Sequence, residues 1–250
     1  MNTSVILYPR NGNLALHRQD LIDMADQNAT LSIILFDRSS SMHRYGSIPQ
    51  DAVNAHFISL LDPPDQRTQF CAVFSFASTP RVELPITIAQ DIKPLTSYRA
   101  EGNTLQWKTV DECLKAFLHI YQTLPPEKQA KLAIAIAVFS DGQDNMSNYD
   151  KFNRPIYPAP YPAKLQETSR QALAQKWELF SYGIGIDAKQ MAREMGFPDD
   201  FHAVTVEATI EGVKKATADF SHSTTIIGLK LANIEAIDAD KKKASTMIIT

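Results

Sequence analysis

The chain has 250 residues, of which 44% are hydrophobic and 21% charged, with a formal net charge of −3 at pH 7. That length is enough for one α/β domain with a large core. The slightly acidic balance argues against a nucleic-acid or anionic-membrane surface, because the one basic run, Lys241-Lys242-Lys243, lies beside Asp238 and Asp240 and reads as a solvated tail. Cys71 and Cys113 read as small buried apolar residues, too few for a secreted disulfide framework. No window approaches about 18 continuous apolar residues, and Met1-Asn2-Thr3-Ser4 opens no signal-like pattern. No membrane insertion and a cytoplasmic location are expected.

Residues 1–30 are mixed: Val5-Ile6-Leu7-Tyr8 reads as a short edge strand and Asp20-Leu21-Ile22-Asp23-Met24 as a helical turn. Residues 31–36 are apolar on both faces, as a parallel strand covered by helices is. Val53, Phe57, Ile58 and Leu61 mark a helix over 49–61, stopped by Pro63-Pro64. A strand over 70–76, the turn 77–80 and a strand over 81–87 form a hairpin, since so short a link implies an antiparallel pair. Apolar positions from Leu105 to Tyr121 fit a helix over 104–124, and 132–139 is the most hydrophobic strand. Helices over 164–176, 188–195 and 210–220 alternate with strands over 177–186 and 201–206, and Gly183 and Gly185 permit close packing. This alternation predicts an α/β fold with a doubly wound, mostly parallel central sheet, one antiparallel edge hairpin, and helices on both faces. Residues 223–250 are Thr/Ile/Ala-rich with weak periodicity, and read either as a docking strand or as a trailing tail.

Oxygen ligands collect at the ends of two of these strands. Asp37, Ser39 and Ser41 follow 31–36 at i, i+2 and i+4, which puts one carboxylate and two hydroxyls at the carboxyl edge of a sheet. Mg²⁺ suits such a place, since it takes octahedral oxygen ligands at about 2.0–2.1 Å and few carboxylates. By themselves Asp37 and Ser39 also read as caps for the next helix. Gly102-Asn103-Thr104 opens the 104–124 helix, and Phe139-Ser140-Asp141-Gly142 closes the 132–139 strand.

Asp-x-Ser-x-Ser, then a Thr at a helix start, then Asp-Gly after a strand, in that order across residues 31–142, resemble the von Willebrand factor A (VWA) domain and its metal-ion-dependent adhesion site. Two positions depart from that pattern, with Ser40 and Asn103 standing where the family usually has Gly. Asn tolerates left-handed backbone conformations nearly as well as Gly, and Ser less so. The resemblance implies a VWA/Rossmann-like domain over 31–222, an N-terminal extension 1–30 and a C-terminal tail or docking segment 223–250. It implies that Ser39, Ser41 and Thr104 ligate the cation, Mg²⁺ or alternatively Mn²⁺ or Ca²⁺. Asp37 and Asp141 would act through water or by holding those hydroxyls. The metal would complete its shell with an Asp or Glu carboxylate from a partner protein. Stand-alone bacterial VWA proteins serve AAA+ ATPases, kinase–phosphatase pairs, and stress or defence assemblies, so a partner of that kind is implied.

Residues 142–163 form one long insertion holding Tyr149, Phe152, Tyr157, Tyr161 and four prolines. It reads as a partner-facing loop or as a surface excursion that covers core. With Ser40 and Asn103 these four aromatics are the candidate partner-binding residues. Two other classes compete. A phosphatase could use Asp37 as nucleophile, but its general acid two residues on would be Ser39, which cannot serve. There is no G-x-S-x-G, P-loop or H-E-x-x-H, so an enzyme is not expected. In the third reading the metal only stiffens loops.

Overall fold

The computed structural model describes residues 5–6, 15–16, 24, 27–63, 67–150 and 152–247. Strands β1 (Val5–Ile6) and β2 (Ala15–Leu16) pair antiparallel in a two-stranded sheet of their own. Val5 and Ile6 are thus in a strand, though not at the edge of the main sheet; Leu7, Tyr8 and residues 20–23 lie outside the described residues. The main sheet contains β3 (Ala29–Asp37), β4 (Thr68–Phe76), β5 (Arg81–Ile88), β6 (Leu132–Ser140), β7 (Glu178–Ile184) and β8 (Ala203–Val206). Their order is β5-β4-β3-β6-β7-β8, parallel throughout except for the β4–β5 hairpin, as the alternation of elements predicts.

Strand pleating divides the apolar residues between two layers. Leu31, Ile33 and Leu35 of β3 and Ile134, Ile136 and Val138 of β6 face one layer. It is built from α2 (Gln106–Tyr121), α4 (Ala163–Ala174) and α5 (Ala188–Met195), after α1 (Ile48–Ser59) and before the turn helix α3 (Pro126–Gln129) are placed in chain order. The opposite layer receives Ile34, Phe36, Ala133, Ala135, Ala137 and Phe139 and is covered by α1 and α6 (Ile210–Met247). Three alanines on β6 leave room there for large rings. Phe220 of α6 lies edge-on to Phe139, Phe180 and Tyr182 at 6.2, 5.8 and 6.4 Å, and Phe139 stacks on Tyr182 at 4.7 Å. Each such side chain, fully buried, contributes about 1.5–3 kcal/mol. His56 of α1 completes this layer, bonded to Ser32 Oγ at 2.9 Å and Ser221 Oγ at 2.8 Å, and burial pushes its pKa down to about 3, so it packs as a neutral ring.

The segment from 223 onward continues α6 through Met247, and is neither a strand nor a tail without secondary structure. Its hydroxyls explain both the weak pattern and the outcome. Ser221, Ser223, Thr224 and Thr225 each donate to a carbonyl three or four residues back, so polar side chains are satisfied by the helix itself. At the other end of β7, a Cβ at Gly183 would stand 2.5 Å from Ile186 O, so the close approach there does need glycine.

At the amino edge of the sheet His202 bridges two carboxylates: Nε2 is 2.7 Å from Glu178 Oε2 and Nδ1 is 2.6 Å from Asp200 Oδ1. Burial alone would lower the pKa of this imidazole; hydrogen bonds to Glu178 and Asp200 outweigh it and raise the value, while both carboxyls are lowered, Glu178 also by Lys230. A raised histidine stabilises the fold fully below its unfolded pKa of about 6.5 and loses that contribution as pH rises through the folded value. The lowered carboxylates set the acid limit of the same window. The Tm advantage of wild type over His202→Gln should therefore shrink as pH goes from about 6 to about 9, measured by thermal unfolding. An advantage that stays constant or grows over that range contradicts an imidazolium clamp.

Candidate metal centre

Register sets Asp37 beside Ser140, one residue before Asp141. β3 and β6 pair in parallel as far as Phe36 with Phe139, so the next residues, Asp37 and Ser140, emerge side by side at the carboxyl edge. Ser140 Oγ donates to Asp37 Oδ2 at 2.6 Å, and Ser39 N donates to Asp37 Oδ1 at 2.7 Å. The chain leaves β3 toward β4 on one side and returns to β6 on the other. That is the switch point at which open α/β sheets collect ligands. Asp37 is fully buried, and burial pushes its pKa up to about 6, against the opposing hydrogen bonds from Ser140 and Ser39 and with a further rise from Asp141.

The loop after β3 opens as a 3-10 helix, Ser40–Tyr45. Within it Ser41 Oγ lies 3.0 Å from Ser39 Oγ and donates to Asp141 Oδ1 at 2.6 Å. Ser40 is exposed and does not have positive φ, so the glycine it replaces is not required by the backbone here. Asn103, also exposed, is likewise free of positive φ; the left-handed residue in its loop is Gly102, at φ +73°. A Cβ at Gly102 would lie 2.5 Å from Ser78 Oγ, the atom that accepts Asn103 N–H, so this position needs glycine twice over.

Thr104 is buried and lies two residues before α2, not at its first turn. Leu105 N donates to Ala77 O, which ties the segment to the hairpin loop. Its own backbone is held from both sides by Asn145, whose Oδ1 accepts Thr104 N–H at 2.9 Å and whose N–H donates to Thr104 O at 3.1 Å. Thr104 Oγ1 makes no hydrogen bond among the described residues. Both Thr104 Oγ1 and Ser41 Oγ would stand 3.8 Å from a Cβ at Gly142, so the missing side chain leaves an open space flanked by the two hydroxyls. Asp37, Ser39, Ser41, Thr104 and Asp141 thus come together from three loops.

Arg38, Arg44, Ser140, Asp144 and Asn145 have no role in the sequence reading and are part of this architecture. Arg38 is the largest fully buried side chain among the described residues. Its guanidinium donates to Ser75 Oγ, Arg99 O, Thr79 O and, at 2.8 Å, Glu101 Oε1. Backbone bonds Glu101 N to Arg38 O and Ser40 N to Gly102 O then lace the first metal loop to the second. Asp144 supplies the cap that α2 lacks, accepting Trp107 N–H at 2.8 Å and the hydroxyl of Ser147, which in turn accepts Lys108 N–H. An Arg inside the metal pentapeptide and a helix without its own cap were the available signals.

The insertion 142–163 is tied down rather than draped. Asn148 exchanges two hydrogen bonds with the Tyr161 backbone, and a turn closed by Asp150 and Arg154 carries the tip. Tyr161 does not belong with the exposed aromatics. It is buried, with its hydroxyl on Asp111 Oδ2 at 2.9 Å, because a carboxylate buried in α2 needs donors and also takes Thr168 and Lys115. Tyr149, Phe152 and Tyr157 are exposed at 41, 65 and 83%, beside the half-exposed Ile156 and with the Arg154 guanidinium 5.1 Å from the centre of the Phe152 ring.

No protein-family model matches the sequence and no curated protein matches it. Among solved structures, proximal thread matrix protein 1 from the mussel byssus superposes with a TM-score of 0.54 at 15% identity, over 80% of this chain and 47% of the mussel chain. The same protein solved with a zinc-occupied MIDAS motif gives 0.50 at 12% identity, over 80% and 46%. This chain has the von Willebrand factor A fold. It spans about half the length of the mussel chains it matches. Within the VWA fold the loop lacing by Arg38 is testable. Arg38→Lys should lose about 2–4 kcal/mol in urea unfolding, because an ammonium cannot serve acceptors spread around a planar fork. Wild-type stability in that variant would remove Arg38 from the account.

Proposed function

We propose that this chain is a metal-dependent protein-binding module that captures a partner carboxylate through a bound divalent cation. One observation carries the reading: three hydroxyls and two buried carboxylates converge at the switch point, with an open space at Gly142. Among the described residues no cluster of three or more His, Cys, Asp or Glu is placed to hold a metal, so a cation here relies on hydroxyl oxygens. Such a donor set suits Mg²⁺, with Mn²⁺ and Ca²⁺ as alternatives. Ser39, Ser41 and Thr104 would hold the ion, and Asp37 and Asp141 would orient them. Bound there, the cation would supply a Lewis-acidic position for a carboxylate. The mussel protein's zinc-occupied motif on the same fold supports a divalent cation here, without selecting among Mg²⁺, Mn²⁺ and Ca²⁺.

The exposed Tyr149, Phe152 and Tyr157, on a loop that departs from Asp141, are proposed to select the partner, together with Ser40 and Asn103. The module is proposed to be an adaptor and not an enzyme, since Ser39 occupies the position where a phosphatase would need its acid. Two free buried thiols, Cys71 and Cys113, support a cytoplasmic setting, and no helix among the described residues is long and apolar enough to cross a membrane. By resemblance to stand-alone bacterial VWA proteins, the proposed context is a multi-protein stress, defence or AAA+ ATPase-linked system.

Calorimetric titration with Mn²⁺ separates the two roles. The double variant Asp37→Ala/Thr104→Ala should lose metal binding while circular dichroism stays native. A Tyr149→Ser/Phe152→Ser/Tyr157→Ser variant should keep metal affinity and lose the EDTA-sensitive partner recovered by pull-down with wild type. Wild-type metal affinity in the double variant would overturn the assignment.

A further inference from the structure

A side-chain cation lies against this site. Arg44, in the 3-10 helix after β3, places Nη2 2.9 Å from Asp141 Oδ2, while Asp141 Oδ1 holds the Ser41 hydroxyl. The Asp141 side chain has no solvent exposure; Arg44 is 55% exposed, with its guanidinium 5.0 Å from the centre of the Tyr45 ring. The salt bridge is therefore held at one end by the protein interior and at the other by a mobile-length side chain with open solvent beside it.

We propose that Arg44 sets the affinity of the site, acting as an internal counter-cation on Asp141 that a divalent metal must share or displace. This deepens the metal-dependent reading and rests on it. The charges decide the direction. Asp37 and Asp141 bring two negative charges, and Arg44 cancels one of them before any metal arrives. A divalent ion entering beside Arg44 meets a site carrying one net negative charge; without Arg44 it meets two. That difference is the repulsion between the guanidinium and the ion, and it acts across a partly buried space, where screening is weaker than in bulk water. The loaded site then keeps an uncancelled positive charge, which an acidic partner side chain neutralises. Arg44 thereby keeps bare metal weakly bound and makes the anionic partner part of what retains it. Among the described residues Arg44 makes one ion pair, to Asp141, where Arg38 serves four acceptors, so its removal breaks a single link between the first and third loops.

The test is Mn²⁺ titration of the full chain, wild type against Arg44→Gln and Arg44→Lys, at fixed ionic strength with thermal unfolding as a fold control. Arg44→Gln should bind Mn²⁺ about tenfold more tightly than wild type, and Arg44→Lys should stay within about threefold of wild type because it retains the charge. Arg44→Met replaces Arg44→Gln if the latter unfolds, with the same expectation. Wild type that binds Mn²⁺ while the folded neutral variant binds no more tightly overturns the role of Arg44 and leaves the metal reading standing. Absence of Mn²⁺ binding in wild type and variants alike overturns both together.

Discussion

A buried carboxylate at the end of a central strand governs the surrounding structure. Asp37 has no solvent exposure, its carboxylate accepts the Ser39 backbone N–H and the Ser140 hydroxyl, and burial raises its pKa to about 6. An ionised carboxylate in such a place is costly unless positive charge is brought to it. Parallel pairing of β3 with β6 fixes this position, because the register that seats Leu35 against Val138 also sets Asp37 beside Ser140. The hydroxyls of Ser39 and Ser41 follow from the same strand end. In the proposed function a cation turns this arrangement from a buried charge into a ligand-binding centre.

The rest of the scaffold holds three loops in fixed relation around that centre. Arg38 spans the first loop, the β4–β5 hairpin and the segment leading to Thr104. Asn145 and Asp144 join the third loop to the start of α2. Behind them, Asp111 gathers Tyr161, Thr168 and Lys115, so the far end of the insertion is anchored in the same helix that positions Thr104. Both ends of the insertion are thus tied to the helix beside the metal loops. Specificity elements placed on a rigid frame beside the ion are what a carboxylate-capturing module requires.

Strands and helices were legible in the sequence where apolar runs or stripes were continuous: β3, β6, the hairpin, and α5 over Ala188–Met195. The sequence grouping rests on local spacing for Asp37, Ser39 and Ser41, on the start of a helical pattern for Thr104 and on the end of a strand for Asp141, and the structure brings these five residues together at one edge. What escaped depended on distant partners. Tyr161 sits among prolines and looks exposed, and only Asp111, fifty residues earlier, makes it a buried donor. Arg38 and Arg44 are six residues apart and alike in sequence; one is enclosed by four acceptors and the other lies half in solvent on Asp141. The extension of α6 was hidden by hydroxyls whose back-bonding to the helix leaves no amphipathic pattern to read.

The central claim is that hydroxyl oxygens from three loops converge on one cation. Anomalous diffraction from crystals grown with Mn²⁺ tests it directly. The account predicts a single strong peak at the carboxyl edge of β3, with Ser39 Oγ, Ser41 Oγ and Thr104 Oγ1 all within about 2.0–2.4 Å of it. A peak ligated by other side chains, or none at saturating Mn²⁺, would contradict it.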